Sequence, residues 1–514
     1  MSDTKKNYIT GYIHWHERKY QDKNTNTDFN TGKNMNHSNS DTFMGHPKGL
    51  FLLFSTEMME RFSYYGMRAI LVLFLVSVTQ DQQAAALLAD PDYQFGIPGL
   101  GWSRADALEL YGTYTGLVYI TPLIGGWLAD NFLGQRKSVL IGGVLMALGQ
   151  FALFAPESIL PLSSTASLYL GLALSIAGNG MFKPNISTMV GDLYDDGDNR
   201  RDGAFTIFYM GINAGAFLSG IIVGAVVVYT GDYKYGFLMS GIAMVLSVVL
   251  QKLFANKYLG NIGIEAAAKK DLAANKGKKQ TLTSIEVDRL KVILILGLFV
   301  IVFWAGFEQA GGLMNLYAND YTDRMIGGFE VPVAWFQSLN PFFIIVFAPL
   351  VSMIWIKMGP KEPTSPVKFA MALLMLAIGF VFMIMATLEQ GGDLTVKTSM
   401  YWLVGAYFFH TMGELCLSPI GLSMITKLAP LRLASLMMGT WFGFNAIANK
   451  VAGMIGAQIG EAGPMAIFGG ITVAATISAL ILFAVSNKLI YWMHGAEGKA
   501  VDVIDEQDAT VVTA

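Results

Sequence analysis

Four charged side chains and two tyrosines interrupt an otherwise apolar stretch between residues 50 and 78. They are Glu57, Glu60, Arg61, Tyr64, Tyr65 and Arg68. Carboxylates and guanidinium groups in such a place can exchange protons, pair with one another or bind a charged solute. A charge near the centre of a bilayer costs about 2.5–3.5 kcal/mol, so these groups must face a protein interior rather than lipid. At about 100° per residue all six lie on one side of a helix, which is therefore expected to have one ionisable face.

This stretch belongs to a chain with the composition of a membrane protein. Of its 514 residues, 53% are hydrophobic and 14% are charged, and a formal net charge of −3 indicates no nucleic-acid partner. Glycines four residues apart, such as Gly112 and Gly116, let helix backbones approach closely in lipid. The single cysteine, Cys416, lies in an apolar run and excludes an internal disulfide. We expect an all-α protein whose helices lie in membrane lipid.

Hydrophobic segments divide the chain into twelve predicted spans, six on either side of a polar linker. The spans are 49–79, 105–129, 138–155, 166–190, 203–229, 235–254, 290–318, 333–357, 366–387, 400–427, 432–459 and 465–493. Residues 1–44 are polar and lack the apolar core of a signal peptide, so we expect a disordered tail and an uncleaved first span. The predicted division is a tail at 1–44, a six-helix bundle at 45–254, a linker at 255–288, a second six-helix bundle at 289–494 and a tail at 495–514.

The placement of lysine and arginine predicts the orientation of the chain. Both tails, the linker and the loops at 131–137, 191–202 and 357–368 together hold most of the basic residues. The loops on the other side hold Arg104, Lys234, Arg324 and Lys397. Because basic loops stay on the cytoplasmic side, we predict a multi-pass protein of the plasma (inner) membrane with both termini in the cytoplasm.

Further ionisable residues inside predicted spans include Lys183 in span 4, Glu308 in span 7 and Glu414 in span 10. With the first span they make three basic groups and four carboxylates, which can pair within the membrane. Any one of them could serve as a clamp between helices, but together they indicate a path for protons or a charged solute. His410, one turn before Glu414, is either a proton relay or a histidine packed between helices.

Several motifs resemble known families. The loop from Gly126 to Lys137, with Asp130 at a helix end and basic residues after a glycine turn, resembles the signature loop of the major facilitator superfamily. Residues 57–66 read E-M-M-E-R-F-S-Y-Y-G, which is similar to the first motif of the proton-coupled oligopeptide transporter family within that superfamily. Residues 182–185, 205–217 and 335–341 resemble further motifs of the same family.

The resemblance implies a major facilitator fold with 12 transmembrane helices in two six-helix bundles. It implies a symporter that imports di- and tripeptides with protons by alternating access. Arg68 would bind the peptide carboxylate through its bidentate fork, while Glu414 and Asn340 would receive the amino end. The other substrate-binding positions implied are Tyr65, Tyr119, Asn213, Trp304, Ser418 and Trp441.

The resemblance also implies two proton-dependent switches. Glu308 would pair with Arg68 in the empty protein, and its protonation would release Arg68 to the incoming carboxylate. The second implied switch consists of Glu57, Glu60, Arg61 and Lys183. The chain departs from the family at two points, since the linker is too polar to hold two additional helices and Phe307 replaces a frequent second glutamate. We therefore predict twelve spans, and the number of protons per cycle stays open.

Alternative functions have less support in the sequence. Nitrate or another small anionic or amphipathic solute is an alternative substrate, although span 7 lacks the histidine of the nitrate-transporting branch. Asp195, Asp196 and Asp198 match no calcium loop and precede two arginines, so no metal is predicted. A passive channel would have little use for titratable carboxylates beside an arginine. Because no enzyme or nucleotide-binding motif appears, we expect no enzyme and no cofactor besides the coupling protons, acting as a monomer.

Overall fold

The computed structural model describes residues 42–90, 96–195, 198, 200–266, 282–430 and 433–496. The chain forms two units, Met1–Gly45 and His46–Ala514. In the first unit the described element is strand β1 (Thr42–Phe43). Most of the N-terminal tail, most of the C-terminal tail and the centre of the linker lie outside the described residues. The disorder of the N-terminal tail therefore stays a prediction.

The described part of the second unit is predominantly helical. Its helices are α1 Lys48–Val76, α2 Gln80–Ala89, α3 Arg104–Leu128, α4 Gln135–Phe154, α5 Ser164–Asp192, α6 Arg200–Thr230, α7 Tyr233–Tyr258, α8 Ser284–Phe307, α9 Leu313–Asp320, α10 Leu339–Met358, α11 Ser365–Gln390, α12 Met400–Leu428, α13 Ala434–Ala457 and α14 Ile459–Trp492. Helix α9 forms the end of predicted span 7, and each of the others except α2 coincides with one predicted span. Short strands, which the all-α prediction did not include, are β2 His46–Pro47, β3 Thr322–Asp323, β4 Met325–Ile326, β5 Phe329–Glu330 and β6 Thr398–Ser399. Strand β3 pairs with β6 in parallel, and β4 pairs with β5 in antiparallel orientation.

Length and hydropathy alone identify seven described helices that could span a membrane, or eight if the bent pair α1 and α2 forms one span. The long helices outside this set are α3, α5, α12 and α13. Helices α5 and α12 carry Lys183 and Glu414, which lower their hydropathy. The predicted total of twelve spans therefore stays a prediction.

Two predicted spans are not continuous helices. In span 7, α8 stops at Phe307, a 3-10 turn covers Glu308–Ala310, and α9 starts after two glycines. Span 8 starts as a 3-10 helix at Val333–Ser338 before α10. Two glycines follow the 3-10 turn, and the backbone of Gly312, with φ −108° and ψ −95°, lies outside the helical region. This break gives the Glu308 carboxyl a position that a straight helix would not give it.

Side-chain caps fix the ends of several helices. Helix α2 begins with a capping box, in which the Thr79 hydroxyl accepts from the Gln82 amide at 3.2 Å and the Gln82 side chain accepts from the Thr79 amide at 2.9 Å. Helix α8 begins with the same arrangement of Thr283 and Glu286. The caps satisfy backbone N–H groups of the first turn and so fix where α2 and α8 begin.

The helices pack mainly with neighbours from their own part of the sequence. Among residues 46–258, α1 packs against α6 and α7, and α4 against α5; among residues 284–492, α11 packs against α12 and α14. Contacts of α3 with α13 and of α6 with α10 join the two sets. We call the end of the molecule where α3 begins the Arg104 end, and the end where α4 begins the Arg136 end.

The two sets of helices are joined closely toward the Arg104 end. A Cβ atom on Gly112 of α3 would lie 2.7 Å from the Asn449 carbonyl oxygen of α13, so the two backbones are in direct contact. Polar contacts that cross between the sets include Asn315 Nδ2 to Ala69 O at 2.8 Å, Trp335 Nε1 to Ile221 O at 3.0 Å, Ser338 Oγ to Phe217 O at 2.8 Å and Lys450 Nζ to Thr113 Oγ1 at 2.9 Å. An ion pair of 2.8 Å joins Arg104 to Asp320 at the same end.

Candidate functional site

An ion pair between α1 and the break in span 7 lies at the centre of the candidate site. Arg68 Nη2 donates to Glu308 Oε2, and Arg68 Nε donates to the Tyr111 hydroxyl at 2.5 Å. The guanidinium also lies 5.8 Å from the ring centre of Tyr65. Arg68 is 8% exposed and Glu308 3% exposed, so the charges depend on each other in a poorly solvated place. The predicted pairing of Arg68 with Glu308 is present in the structure, while its role in proton coupling stays a prediction.

A second charged cluster lies nearer the start of α1, toward the Arg136 end. Arg61 Nε lies 2.7 Å from Glu57 Oε1 and 2.7 Å from Glu60 Oε2, and Asn179 of α5 donates to Glu60 at 2.8 Å. Lys183 forms no ion pair within the described ranges, and its ammonium lies 4.7 Å from the ring centre of Tyr119. In this cluster Arg61 therefore pairs with both carboxylates, while the action of these residues and Lys183 as a second switch stays a prediction.

Three residues that were predicted to bind the substrate form a third cluster: Asn340, Glu414 and Ser418. Asn340, near the start of α10, donates to Glu414 Oε2 of α12 at 2.7 Å and lies 3.1 Å from Thr411 Oγ1. Ser418 lies one turn beyond Glu414, and its buried hydroxyl oxygen has no hydrogen-bond partner among the residues described. The cluster can supply one negative charge and a free hydroxyl to a ligand with an amino group.

The remaining predicted residues are distributed around these clusters. Tyr65 packs edge-to-face on Tyr64 at 5.2 Å between ring centres. Asn213 donates to its own helix at Tyr209 O at 3.0 Å. Trp304 packs against Phe303 and Phe307 at the end of α8. Trp441 is 4% exposed and packs on Phe369 and Gly421, so its ring lies inside the helix packing rather than on an open surface.

A cavity of about 530 Å³ lies between α3, α5, α6 and α13, toward the Arg136 end. Tyr119 and Lys183 are among its lining residues, together with Arg201, Phe205 and Met438. This cavity lies toward the end opposite to the contacts that join the two sets of helices. A cavity of this size accommodates a small solute.

The structure adds polar residues that the sequence analysis missed. Tyr111 and Asn179 hold charged members of the clusters, yet a tyrosine or an asparagine in an apolar helix gives no signal by itself. Gln309 donates to Ala452 O of α13 at 2.9 Å. Lys450 lies within α13 and donates to Thr113. A lysine inside a predicted span is a signal that the sequence did contain.

Two other predicted features lie apart from the clusters. His410 is 2% exposed and packs on Phe380 at 4.6 Å between ring centres, and neither ring nitrogen has a hydrogen-bond partner within the described part of the chain. It is thus packed between helices. Asp196 lies outside the described residues, and among those described no group of three metal ligands occurs. Hydrogen bonds from Arg200 lower the pKa of Asp198 to about 2.

Comparison with known proteins agrees with this arrangement. The model of the POT family matches residues 136–256 and 249–467. The chain is 33% identical to the peptide transporter YePEPT of Yersinia enterocolitica, over 89% of this chain and 97% of that protein. It is also 33% identical to a di-/tripeptide transporter of Lactococcus lactis subsp. cremoris, over 81% of this chain and 90% of that protein.

Solved structures show the same similarity. A crystal structure of a peptide transporter POT in complex with sulfate has a TM-score of 0.75 and 35% identity, covering 88% of this chain and 97% of that one. A POT family transporter in complex with 5-aminolevulinic acid has a TM-score of 0.77 and 30% identity, covering 87% and 98%. These are integral membrane transporters rather than enzymes. The chain belongs to the POT family, which confirms the family predicted from its motifs.

Proposed function

We propose that the protein is a proton-coupled symporter that imports di- and tripeptides across the plasma membrane. The observation that carries this proposal is the buried ion pair of Arg68 with Glu308, which joins the two sets of helices. Arg68 offers a carboxylate-binding group that is occupied by an internal carboxylate. Protonation of Glu308 would free Arg68 for the C-terminal carboxylate of a peptide, so that proton and peptide bind together. The names of the relatives support the substrate class.

The other clusters would complete the binding site and the coupling. Glu414, oriented by Asn340, would bind the amino group, because a charged carboxylate attracts an ammonium in a poorly solvated site. The positions that would contact the backbone and side chains of the peptide are Tyr65, Tyr119, Asn213, Trp304, Ser418 and Trp441. Loose side-chain selectivity follows, since the charged ends are common to all peptides. The residues that would couple proton movement are Glu57, Glu60, Arg61, Lys183 and Glu308.

The proposed architecture has twelve spans in two six-helix bundles, at 45–254 and 289–494, with both termini in the cytoplasm. The basic loops 131–137 and 191–202 lie at the Arg136 end, which we therefore assign to the cytoplasmic side. The cavity toward this end and the close contacts at the Arg104 end then correspond to a state open to the cytoplasm. We propose that one such chain transports as a monomer in lipid, with protons as coupling ion and no other cofactor.

The proposal predicts accumulation of a peptide against its gradient. Purified protein in liposomes should concentrate labelled dialanine when the outside is acidic and the inside negative, and should only equilibrate it when the gradients are removed. Unlabelled di- and trialanine should compete with the label, whereas tetraalanine and nitrate should not. Failure to move dialanine, with nitrate uptake in the same vesicles, would contradict the peptide assignment and favour the anion alternative.

A further inference from the structure

Two neighbouring nitrogen atoms of the Arg68 guanidinium donate hydrogen bonds to other side chains. Nη2 donates to Glu308, and Nε donates to the hydroxyl of Tyr111 at 2.5 Å. Tyr111 lies on α3 and is 2% exposed, and its ring centre lies 5.8 Å from the guanidinium carbon. The edge of the guanidinium formed by Nε and Nη2 is therefore fully occupied within the protein.

Gly311 leaves the space that the hydrogen bond between Arg68 and Tyr111 needs. A Cβ atom on Gly311 would overlap the Tyr111 hydroxyl oxygen and would lie 2.8 Å from Arg68 Nε. Its backbone, with φ −83° and ψ −15°, has a conformation that any residue adopts, so the glycine is needed for space and not for the turn. Gly311 follows the 3-10 turn that carries Glu308, and so the break in span 7 lies directly against the contact between Arg68 and Tyr111.

We infer that Tyr111 is a positioning residue that fixes which edge of Arg68 receives the substrate carboxylate, with Gly311 providing the space for it. A guanidinium can bind a carboxylate through Nε and Nη2 or through Nη1 and Nη2. When Glu308 is protonated Nη2 becomes available, but Nε stays bound to Tyr111. The carboxylate then meets the Nη1 and Nη2 edge in one orientation. This inference rests on the proposed peptide transport.

Removal of the hydroxyl should weaken recognition of the carboxylate specifically. In Tyr111→Phe the ring stays, but Nε loses its acceptor and the guanidinium can turn between its two edges. We expect the apparent KM for dialanine to rise about tenfold, the loss expected for one hydrogen bond to a charged group, with a maximal rate within about threefold of native. A merely structural role would lower the maximal rate or the amount of folded protein instead.

The test compares dialanine with dialanine amide, which lacks the carboxylate, as competitors of labelled dialanine uptake in liposomes. The ratio of their inhibitory concentrations should fall about tenfold in Tyr111→Phe. Tyr114→Phe is the matched control, because Tyr114 lies on the same helix, is also 2% exposed and has no hydrogen bond to Arg68 in the described structure. Its ratio should equal that of the native protein.

Gly311→Ala provides a second, independent variant, which decides the question if Tyr111→Phe does not fold. The added methyl group should displace the Tyr111 hydroxyl and lower the ratio similarly, and the double variant should be no worse than Gly311→Ala alone because both act on one contact. A native ratio in either folded single variant, with uptake retained, would overturn this inference alone. Absence of dialanine uptake by the native protein would overturn the proposed function and this inference with it.

Discussion

Replacement of Glu308 by glutamine should separate proton coupling from peptide binding. The change keeps the size of the side chain and an acceptor oxygen for Arg68 Nη2, but removes the charge and the titratable proton. Breaking a buried ion pair by removing one partner costs about 3–5 kcal/mol when the remaining charge is left uncompensated. Because Arg68 keeps its hydrogen bond to Tyr111 and gains the amide oxygen, we expect a loss of about 3 kcal/mol or less and a folded protein.

The size of the transport effect follows from the gradients. Each proton that enters down 100 mV releases about 2.3 kcal/mol, and a difference of one pH unit adds about 1.4 kcal/mol. The total of about 3.7 kcal/mol corresponds to an accumulation of about 500-fold for one proton moved with one neutral dipeptide. Glu308→Gln should reach a ratio of about 1 under the same gradients, because proton entry no longer changes the availability of Arg68.

The assay is uptake of labelled dialanine by liposomes that contain equal amounts of native or variant protein. Exchange of labelled for unlabelled dialanine, without any proton gradient, reports binding and alternation and should persist in Glu308→Gln. Glu109→Gln makes the same chemical change at an exposed position of α3 and serves as control. Accumulation by Glu308→Gln above the external concentration would refute the assignment of coupling to this residue, and loss of exchange in a folded variant would show that its charge is required for binding.

Three further predictions concern the other clusters and the ends of the molecule. Glu414→Gln should reduce about tenfold the preference for dialanine over N-acetyl-dialanine as competitor, because the acetylated peptide has no ammonium for this carboxylate. Gly112→Ala should open the Arg104 end, because its methyl group would lie 2.7 Å from the Asn449 carbonyl oxygen, and spin labels across that end should show longer distances. Asp198→Asn should leave the pH profile of uptake unchanged. The pKa of the native Asp198 carboxyl is lowered from 3.8 to about 2. Its contribution to stability is therefore complete above pH 3.8 and is lost only as the pH falls through about 2. A shifted profile in this variant would place a pH-sensitive step in the loop before α6.

The sequence was sufficient for the positions of the long helices along the chain, because apolar length is a direct physical signal. A span needs about 20 apolar residues, and the predicted spans coincide with the long helices. The ionisable stripe of α1 is buried as expected, with Glu60 at 0% exposure and Arg61 at 4%. The pairing of Arg68 with Glu308 was expected from the resemblance to the family, because the intramembrane charges alone leave several pairings open.

Features that depend on distances between helices were not predictable in this way. Arg61 pairs with Glu57 one turn earlier on the same helix, and the sequence alone did not indicate which basic group of the predicted switch would lie against the carboxylates. The break after Phe307 depends on how the glycines at 311 and 312 pack. A hydropathy profile does not detect this break, because both sides of it are apolar and appear as one span. The role of Tyr111 is visible only once α3 and the break lie side by side.

The two acceptors of Arg68, Glu308 and Tyr111, explain why a buried ion pair can work as a switch. Desolvation offsets most of the attraction within a buried pair, but a buried charge that loses its only partner costs about 3–5 kcal/mol. Tyr111 reduces this cost, because Arg68 keeps one partner when Glu308 takes up a proton. A peptide carboxylate would then replace one charged acceptor by another without exposing an uncompensated guanidinium. Since Glu308 and Gly311 belong to the same broken segment, movement of that segment at the Arg104 end would change both contacts together. Peptide binding, protonation and opening of that end are therefore expected to be linked through one side chain.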